Sequence, residues 1–435
     1  AGQSAAGQIG TESEPVDVEA ASVAAQSVST SKTYTKTTPT VNVKNFGAVG
    51  DGATDDTAAI DDALAHASDD QAAVLYFPSG AYLYNGSIGG IAGNLKSVIG
   101  DNEKDSTIKF TDSTVNYLIK PFDGQSVSSW RMENIRVEGP GKSAGTNIHG
   151  IDTRGANFPP FNIEFKNVRV SDVSGDGWRL TESGANLFSW SLINCTPENI
   201  GRHGIQGVAG NTCYVRGFGR YSRNIDGWLM WIHSGRPTIQ TVNAENVGTD
   251  GVEESGGLKF GRDSSHPSGS GFASPEIRDV NLEPVTGEYG VKFEVGSAPT
   301  VLDRVSIFAP DGGTLTNGVY YGGLQEQTRH EGVSYNALGT GSYGSTLTIN
   351  SGGGGILSSD PQPSNLGNES NTSARYTTIS SALEIPFSGA GLASSGDFIA
   401  TDSAGKGLLV EDADGSGNLY RIRVNAGAVD VEGPL

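Results

Sequence analysis

The sequence predicts an all-β fold in the form of a parallel β-helix solenoid, and three observations predict it. Seven segments, "IHGIDT", "GDGWRL", "RHGIQG", "IDGWLM", "TDGVEE", "EYGVKF" and "TNGVYY", each place a glycine before a large apolar residue. These glycines are Gly150, Gly177, Gly204, Gly227, Gly251, Gly290 and Gly318, at spacings of 27, 27, 23, 24, 39 and 28. Helical repeats mostly need about 33 residues or more, so a period in the twenties points to strand-built coils. After the glycines apolar and polar residues alternate: Trp178 in, Arg179 out, Leu180 in; Val291 in, Lys292 out, Phe293 in. That is the period of strands with one face on a filled interior. Finally, 62 glycines and an apolar share of only 36% in 435 residues suit a thin, turn-rich β architecture.

Taken in order, residues 1–40 are rich in Ala, Ser, Thr, Gln and Glu without a sustained apolar face, and read as an N-terminal attachment or linker segment. "VNVKNF" puts Val41, Val43 and Phe46 on one face and predicts a short strand. "GAVGDG" supplies a sharp turn, and Thr54 or Asp55 offers an N-cap for a helix whose Ala59, Ile60, Ala63 and Leu64 share a face. An EF-hand starting at Asp51 would need an oxygen ligand at Ala53, a glycine at Asp56 and a glutamate at Asp62, so the acidic stretch is not a calcium loop. Its glycines do not match the dinucleotide fingerprint either. "AAVLYFPSGAYLY" reads as strand, Pro-Ser-Gly turn, strand. The solenoid is expected over 41–350, with an irregular loop at 261–275. Residues 351–375 are the clearest linker, and 376–435 read as a small C-terminal β module.

The charge of −20, from 29 Lys plus Arg against 49 Asp plus Glu, disfavours nucleic acid as a general partner, because the summed field repels phosphate. Such a surface suits high salt, where screening removes self-repulsion, as in halophilic proteins. No apolar run is long enough for a membrane-spanning helix, and no signal-peptide pattern is visible. An initial Ala1 is as compatible with loss of an initiator Met as with processing of a secreted precursor. The two cysteines, Cys195 and Cys213, read as small buried residues, with one disulfide as the alternative. No His/Cys spacing for zinc, no Gly-x-Ser-x-Gly and no phosphate loop is present, so neither metal nor cofactor is expected.

The stretch "VNVKNFGAVGDGATDDTAAIDDAL", followed by "VLYFPSGAYL" and "SVIGDNEKDSTIKF", resembles the opening of the pectate-lyase-superfamily right-handed β-helix, a form common in virus tail spikes and found in polysaccharide hydrolases and lyases. The resemblance implies a helix that caps the N-terminal end of the solenoid and shields its first coil. "GLLVEDADGSGNLYRIRVNAGAVDVEGPL" is similar to the short β endings of viral tail-fibre proteins. Together, an N-terminal segment, a β-helix and a terminal β module resemble a trimeric virion spike.

Candidate site residues come from two arguments. Between Trp178 and Arg236 the charge inverts, with six arginines against three acids, and four of the five tryptophans lie there. Aromatic faces stack on sugar rings and guanidinium forks grip carboxylate or sulfate. Trp178 and Trp228 follow repeat glycines in the inward register and are expected in the core. Trp190, Trp231, Tyr214 and Tyr221, with Arg179, Arg202, Arg220 and Arg223, are the expected substrate-binding residues. Second, Asp152, Arg179 and Gln206 lie two residues after successive glycines and should align, while His149, Asp176, His203, Asp226 and Asp250 precede them. "GIDTRG", "SDVSGDG" and "GRHGIQG" are similar to the Asp, Asp-Asp and Gly-His-Gly series of polygalacturonase-type hydrolases, which nominates Asp152, Asp172, Asp176 and His203 as catalytic. The adjacent Asp pair is absent here, and Arg202 stands where that series has glycine. The bland alternative is that each Asp caps turn backbone.

The resulting expectation is a virion surface or tail spike, a homotrimer held to virion proteins through residues 1–40, that binds and on one reading degrades a host surface polysaccharide. The alternatives are a secreted, monomeric glycoside hydrolase or polysaccharide lyase, and a structural spike without a sugar site.

Overall fold

A computed structural model describes residues 40–69, 74–91, 95–122, 129–155, 162–180, 189–208, 212–219, 222–248, 254–262, 273–323 and 328–350, with further strands at 355–358, 366–367, 375–378, 408–411, 419–425 and 428–432. The chain divides into two compact units at Thr378 and Ile379. Among the described residues of the first, strands pair in parallel into one nineteen-stranded and one eleven-stranded sheet. Each coil of this parallel β-helix contributes two segments to the larger sheet and one to the smaller.

The two segments in the larger sheet meet at a corner. Ile163–Val173 pairs through its first half with Ser189–Ile193 and through its second half with Thr196–Ile200. Asn134, Asn167 and Asn194 form this corner at φ of 58°, 51° and 53°, a left-handed region that Asn tolerates better than most residues. Their side chains stack as a ladder: the Asn167 amide donates to Asn134 Oδ1 at 2.7 Å, and the Asn194 amide to Asn167 Oδ1 at 3.2 Å.

The smaller sheet carries the glycine repeat, but its register differs from the expected one. Ile151, Trp178, Ile205, Met230, Leu258, Val291, Val319 and Leu347 lie side by side. The glycine row is therefore Gly150, Gly177, Gly204, Gly257, Gly290 and Gly318, with Leu229 in place of a glycine at one coil. Gly227 falls outside it, and Gly251 lies outside the described residues. Close approach explains the row: a Cβ on Gly257 would sit 2.4 Å from the Gly290 carbonyl oxygen, and one on Gly177 2.7 Å from that of Gly204. Inside, Trp178, Ile205, Met230, Leu258 and Val291 fill the core, and Phe260, Phe293 and Tyr321 stack with centroids 5.2 and 4.9 Å apart. The expected alternation of Val291, Lys292 and Phe293 holds.

At the N-terminal end the strand expected over "VNVKNF" stops at Asn42. Val43–Phe46 is a 3-10 turn, set by the Asn42 side chain accepting from the Lys44 amide and closed by Gly47 at φ 100°. Helix α1 spans Thr57–Asp69, burying Ile60, Ala63 and Ala67 against the first coil. The aspartates before it hold backbone. Asp51 accepts from the amides of Ala53 and Thr54, Asp55 from Thr57 at 3.0 Å, and buried Asp56 from Val49 and Gly50 at 2.6 and 3.2 Å. The acidic corner is architectural, as its spacing indicates.

Where a linker is expected, the solenoid continues: Gly355–Ser358, Leu366–Gly367 and Arg375–Thr378 add to the two sheets. In the second unit Leu408–Glu411, Leu419–Asn425 and Ala428–Glu432 form an antiparallel three-stranded sheet. Cys195 and Cys213 are buried thiols without a disulfide.

Candidate functional site

The strands of the smaller sheet turn one face to the core and carry on the other a continuous row. Asp152, Arg179, Gln206, Trp231, Lys259, Lys292, Tyr320 and Thr348 align coil by coil. Asp152, Arg179 and Gln206 thus stand next to one another as their spacing from the glycines requires. Unlike a solvated polar face, this one is mostly enclosed: Asp152, Gln206, Trp231 and Lys259 are buried, and Arg179 and Tyr320 are half-buried. A second row, at the heads of the same strands, holds His149, Asp176, His203 and Trp228, linked by bonds such as Gly177 N–H to His203 C=O and Gly204 N–H to Trp228 C=O.

The first end of this face is a chain of hydrogen-bonded and paired groups. Arg179 Nη1 lies 2.5 Å from His149 Nε2, and the Asp176 amide lies 2.9 Å from His149 Nδ1. A neutral imidazole has one accepting nitrogen, so the two donors compete for it. When Nε2 accepts from Arg179, the Nδ1 proton faces the Asp176 carboxylate at 3.1 Å. When Nδ1 accepts, Nε2 carries the proton and the half-buried guanidinium must turn away. Asp176 is fully buried; its Oδ1 accepts from the His203 amide at 3.2 Å, and Oδ2 lies 3.6 Å from Arg202. Burial alone would raise its carboxyl, yet His149, His203 and Arg202 together hold it far below the usual carboxylate range. His203 Nδ1 accepts from the Trp228 amide at 3.0 Å, and its ring meets Trp231 edge-on at 5.3 Å.

The other end is a charge-balanced square. Glu254 bridges two lysines, Oε2 to Lys259 at 3.0 Å and Oε1 to Lys292 at 2.5 Å. Glu294 Oε1 lies 3.3 and 3.0 Å from the same ammonium groups. Aromatic rings wall it: Lys259 Nζ sits 4.2 Å from the Trp231 centroid and Lys292 Nζ 4.9 Å from that of Tyr289. Trp228 stacks on Tyr289 at 6.0 Å because Gly256, between them, has no side chain.

Residues 40–248 match the family described as rhamnogalacturonase A/epimerase, pectate lyase-like. The match covers 209 of the 435 residues. Among solved structures the chain is similar to the catalytic unit of a GH87 α-1,3-glucanase from Streptomyces thermodiastaticus (15% identity, 78% of this chain, 67% of that one, TM-score 0.48). It is also similar to the A-module of the Azotobacter vinelandii mannuronan C-5 epimerase AlgE4 (16%, 78% and 98%, TM-score 0.44) and to ORF18 of Geobacillus virus E2 (15%, 96% and 72%, TM-score 0.38). No curated protein sequence matches.

Within the matched segment the nominated residues separate. Asp152, Asp176, Arg179, Arg202, His203 and Trp231 gather on the smaller sheet and its leading turn. Asp152 is paired with Arg154, with Nε at 2.8 Å and Nη2 at 2.5 Å. Asp172 is a corner residue at φ 59°, accepting from Asn199 at 2.6 Å and lying 3.5 Å from Arg136. Tyr214, bonded to Gln240, and Arg223, paired with Glu198 at 3.0 Å, are on the larger sheet. Trp190 is not exposed: it lies in the core beside Ile163 and Cys213 at 2% accessibility. Trp231 is also buried, on the far side of the smaller sheet, with Nε1–H donating to the Gly261 carbonyl. Trp228 is buried as expected, but against Lys259 and Tyr289 rather than in the inward row. Asp226 lies outside the His149 row and pairs with Lys142. Arg220 and Tyr221 lie outside the described residues.

Sequence reasoning missed the contacts of His149 with Arg179 and Asp176 and the Glu254, Lys259, Lys292 and Glu294 square. The signal for the square was present in "GLKF" and "GVKF", which repeat Gly-x-Lys-Phe at 257–260 and 290–293. Choosing Gly251 as the repeat glycine put Lys259 out of register.

Proposed function

We propose that this chain is a virion surface spike that binds a host cell-surface polysaccharide along the face of the smaller sheet turned away from the core. The observation that carries the reading is the row from Asp152 to Tyr320, in which coil after coil places a hydrogen-bonding or aromatic side chain on one face, with half-buried Arg179 and Tyr320 within reach of solvent. A solenoid that serves only as a rod has no need for buried Lys259 and Lys292, since buried ion pairs add little stability over apolar residues of the same volume. Rings beside paired donors and acceptors are what a sugar needs, with its apolar C–H face and its hydroxyl edge. The virion context is supported by the tail-fibre-like ending and by the three-part organisation; trimerisation belongs to the same proposal.

Binding of the full chain to an array of neutral and acidic bacterial surface polysaccharides tests this. Arg179→Ala is expected to weaken binding at least tenfold, and Lys166→Ala, on the larger sheet, to leave it unchanged. Absence of binding to every polysaccharide, or equal effects of the two substitutions, would overturn the proposal.

A second reading, a polysaccharide-degrading enzyme, is favoured by the chain Arg179–His149–Asp176. Proton abstraction beside a uronate carboxylate needs a base and a charge neutraliser, and His149 with Arg179 supplies both types. Appearance of an unsaturated product from polygalacturonate or alginate, lost in His149→Ala, is the outcome this reading expects.

A further inference from the structure

The square of Glu254, Lys259, Lys292 and Glu294 lies beyond the segment that matches the pectate-lyase-like family. It contains two positive and two negative groups within salt-bridge distance of one another. The lysines are enclosed, with side-chain exposures of 1% and 7%, whereas Glu254 is 40% exposed. Tyr289 and Tyr320 are half-buried, their rings 5.4 Å apart at 71°. Solvent therefore meets two tyrosines set at an angle and a carboxylate, with the ammonium groups behind.

We infer that this square and its tyrosines form a subsite for an uncharged pyranose, so that the glycan bound by the chain carries neutral hexose residues rather than uronate or sulfate at this position. The inference rests on the polysaccharide-binding reading and specifies its ligand. Three features argue for it. Each ammonium is already neutralised by two carboxylates, so the square offers an anion no net positive charge. The group nearest solvent is the Glu254 carboxylate. Burial alone would raise its pKa, but the two lysines lower it, so it stays ionised, repels anionic sugars and accepts from hydroxyls. An ionised carboxylate beside an ammonium matches a vicinal diol, one hydroxyl donating and the other accepting, and charged partners make such bonds stronger than neutral ones. The Tyr289 and Tyr320 rings supply an apolar surface for the C–H face of the ring.

The test is affinity electrophoresis of the full chain through gels containing a neutral glucan, mannan or galactan, or polygalacturonate, alginate or dextran sulfate. Wild type, Tyr320→Ala and Glu254→Gln are run together, and circular dichroism confirms the fold of each. The expected result is retardation by a neutral polymer, with the dissociation constant raised about tenfold or more in both variants. Retardation by acidic polymers alone, or neutral binding that both variants keep, overturns the inference while leaving the polysaccharide reading intact. Retardation by none of the polymers removes both. If Glu254→Gln fails to fold, Tyr320→Ala alone decides, since its side chain is half-buried and lies outside the ion pairs.

Discussion

His330 shows how a single enclosed side chain sets a condition on the whole fold. It lies at the end of the Phe260–Phe293–Tyr321 stack, its Nε2 2.8 Å from the Tyr321 hydroxyl, and burial pushes its pKa down to about 3. In the unfolded chain the value is about 6.5. Below that pH the unfolded state binds a proton that the folded state refuses. The stability is therefore whole above about pH 6.5 and is lost as the pH falls toward about 3, by at most about 1.4 kcal/mol per pH unit. Urea unfolding of wild type and His330→Gln at about pH 7 and pH 5 checks this, because the glutamine variant is expected to lose less stability between the two. Equal losses would contradict the assignment. Trp190 makes a complementary case at the same scale. Sequence composition suggested an exposed sugar platform, whereas the parallel register beside Ile163 and Cys213 places it in the core. Trp190→Ala is expected to cost about 3–5 kcal/mol in chemical unfolding and to leave polysaccharide affinity of the folded protein unchanged. A loss of affinity without a loss of stability would restore the sequence-based view.

At the scale of the coil, periodicity was legible because glycine and strand alternation are local, and they placed the alignment of Asp152, Arg179 and Gln206 correctly. Register was not fully legible. "IDGWLM" and "TDGVEE" both look like repeat units, yet Leu229 and Gly257 occupy the row. A coil of 25 residues from Ile205 to Met230 is followed by one of 28 to Leu258, a shift that no single coil reveals. The contact between Asp172 and Asn199 was hidden for a similar reason. The left-handed backbone at Asp172 and its 2.6 Å bond from Asn199 of the neighbouring coil are not visible in either segment alone. The glycine row itself is testable. Gly257→Ala would bring a methyl group to 2.4 Å from both the Gly290 carbonyl oxygen and Leu282 Cδ1. A destabilisation of about 1–3 kcal/mol is expected from such overpacking. An unchanged urea midpoint would show that neighbouring coils stand farther apart than described.

At the scale of the molecule, the charge of −20 and the solenoid act together. Acidic side chains repel one another, and screening relieves this as salt rises from about 0.1 M to about 1 M, where the Debye length falls from about 10 Å to about 3 Å. The thermal midpoint is expected to rise over that range, and a fall would count against an adaptation to salt. The same screening leaves the enclosed square of Glu254, Lys259, Lys292 and Glu294 nearly untouched, so affinity for a neutral glycan should depend weakly on salt. The central claim is that ligand meets the smaller sheet on the face turned away from the core. Hydrogen exchange of the full chain, with and without a polysaccharide that retards it, tests this most directly. Added protection is expected in Trp228–Ile232, Gly256–Phe260, Tyr289–Phe293 and Thr314–Tyr321. Protection confined instead to the larger sheet, in Ile163–Val173 and Thr212–Arg216, would contradict the account.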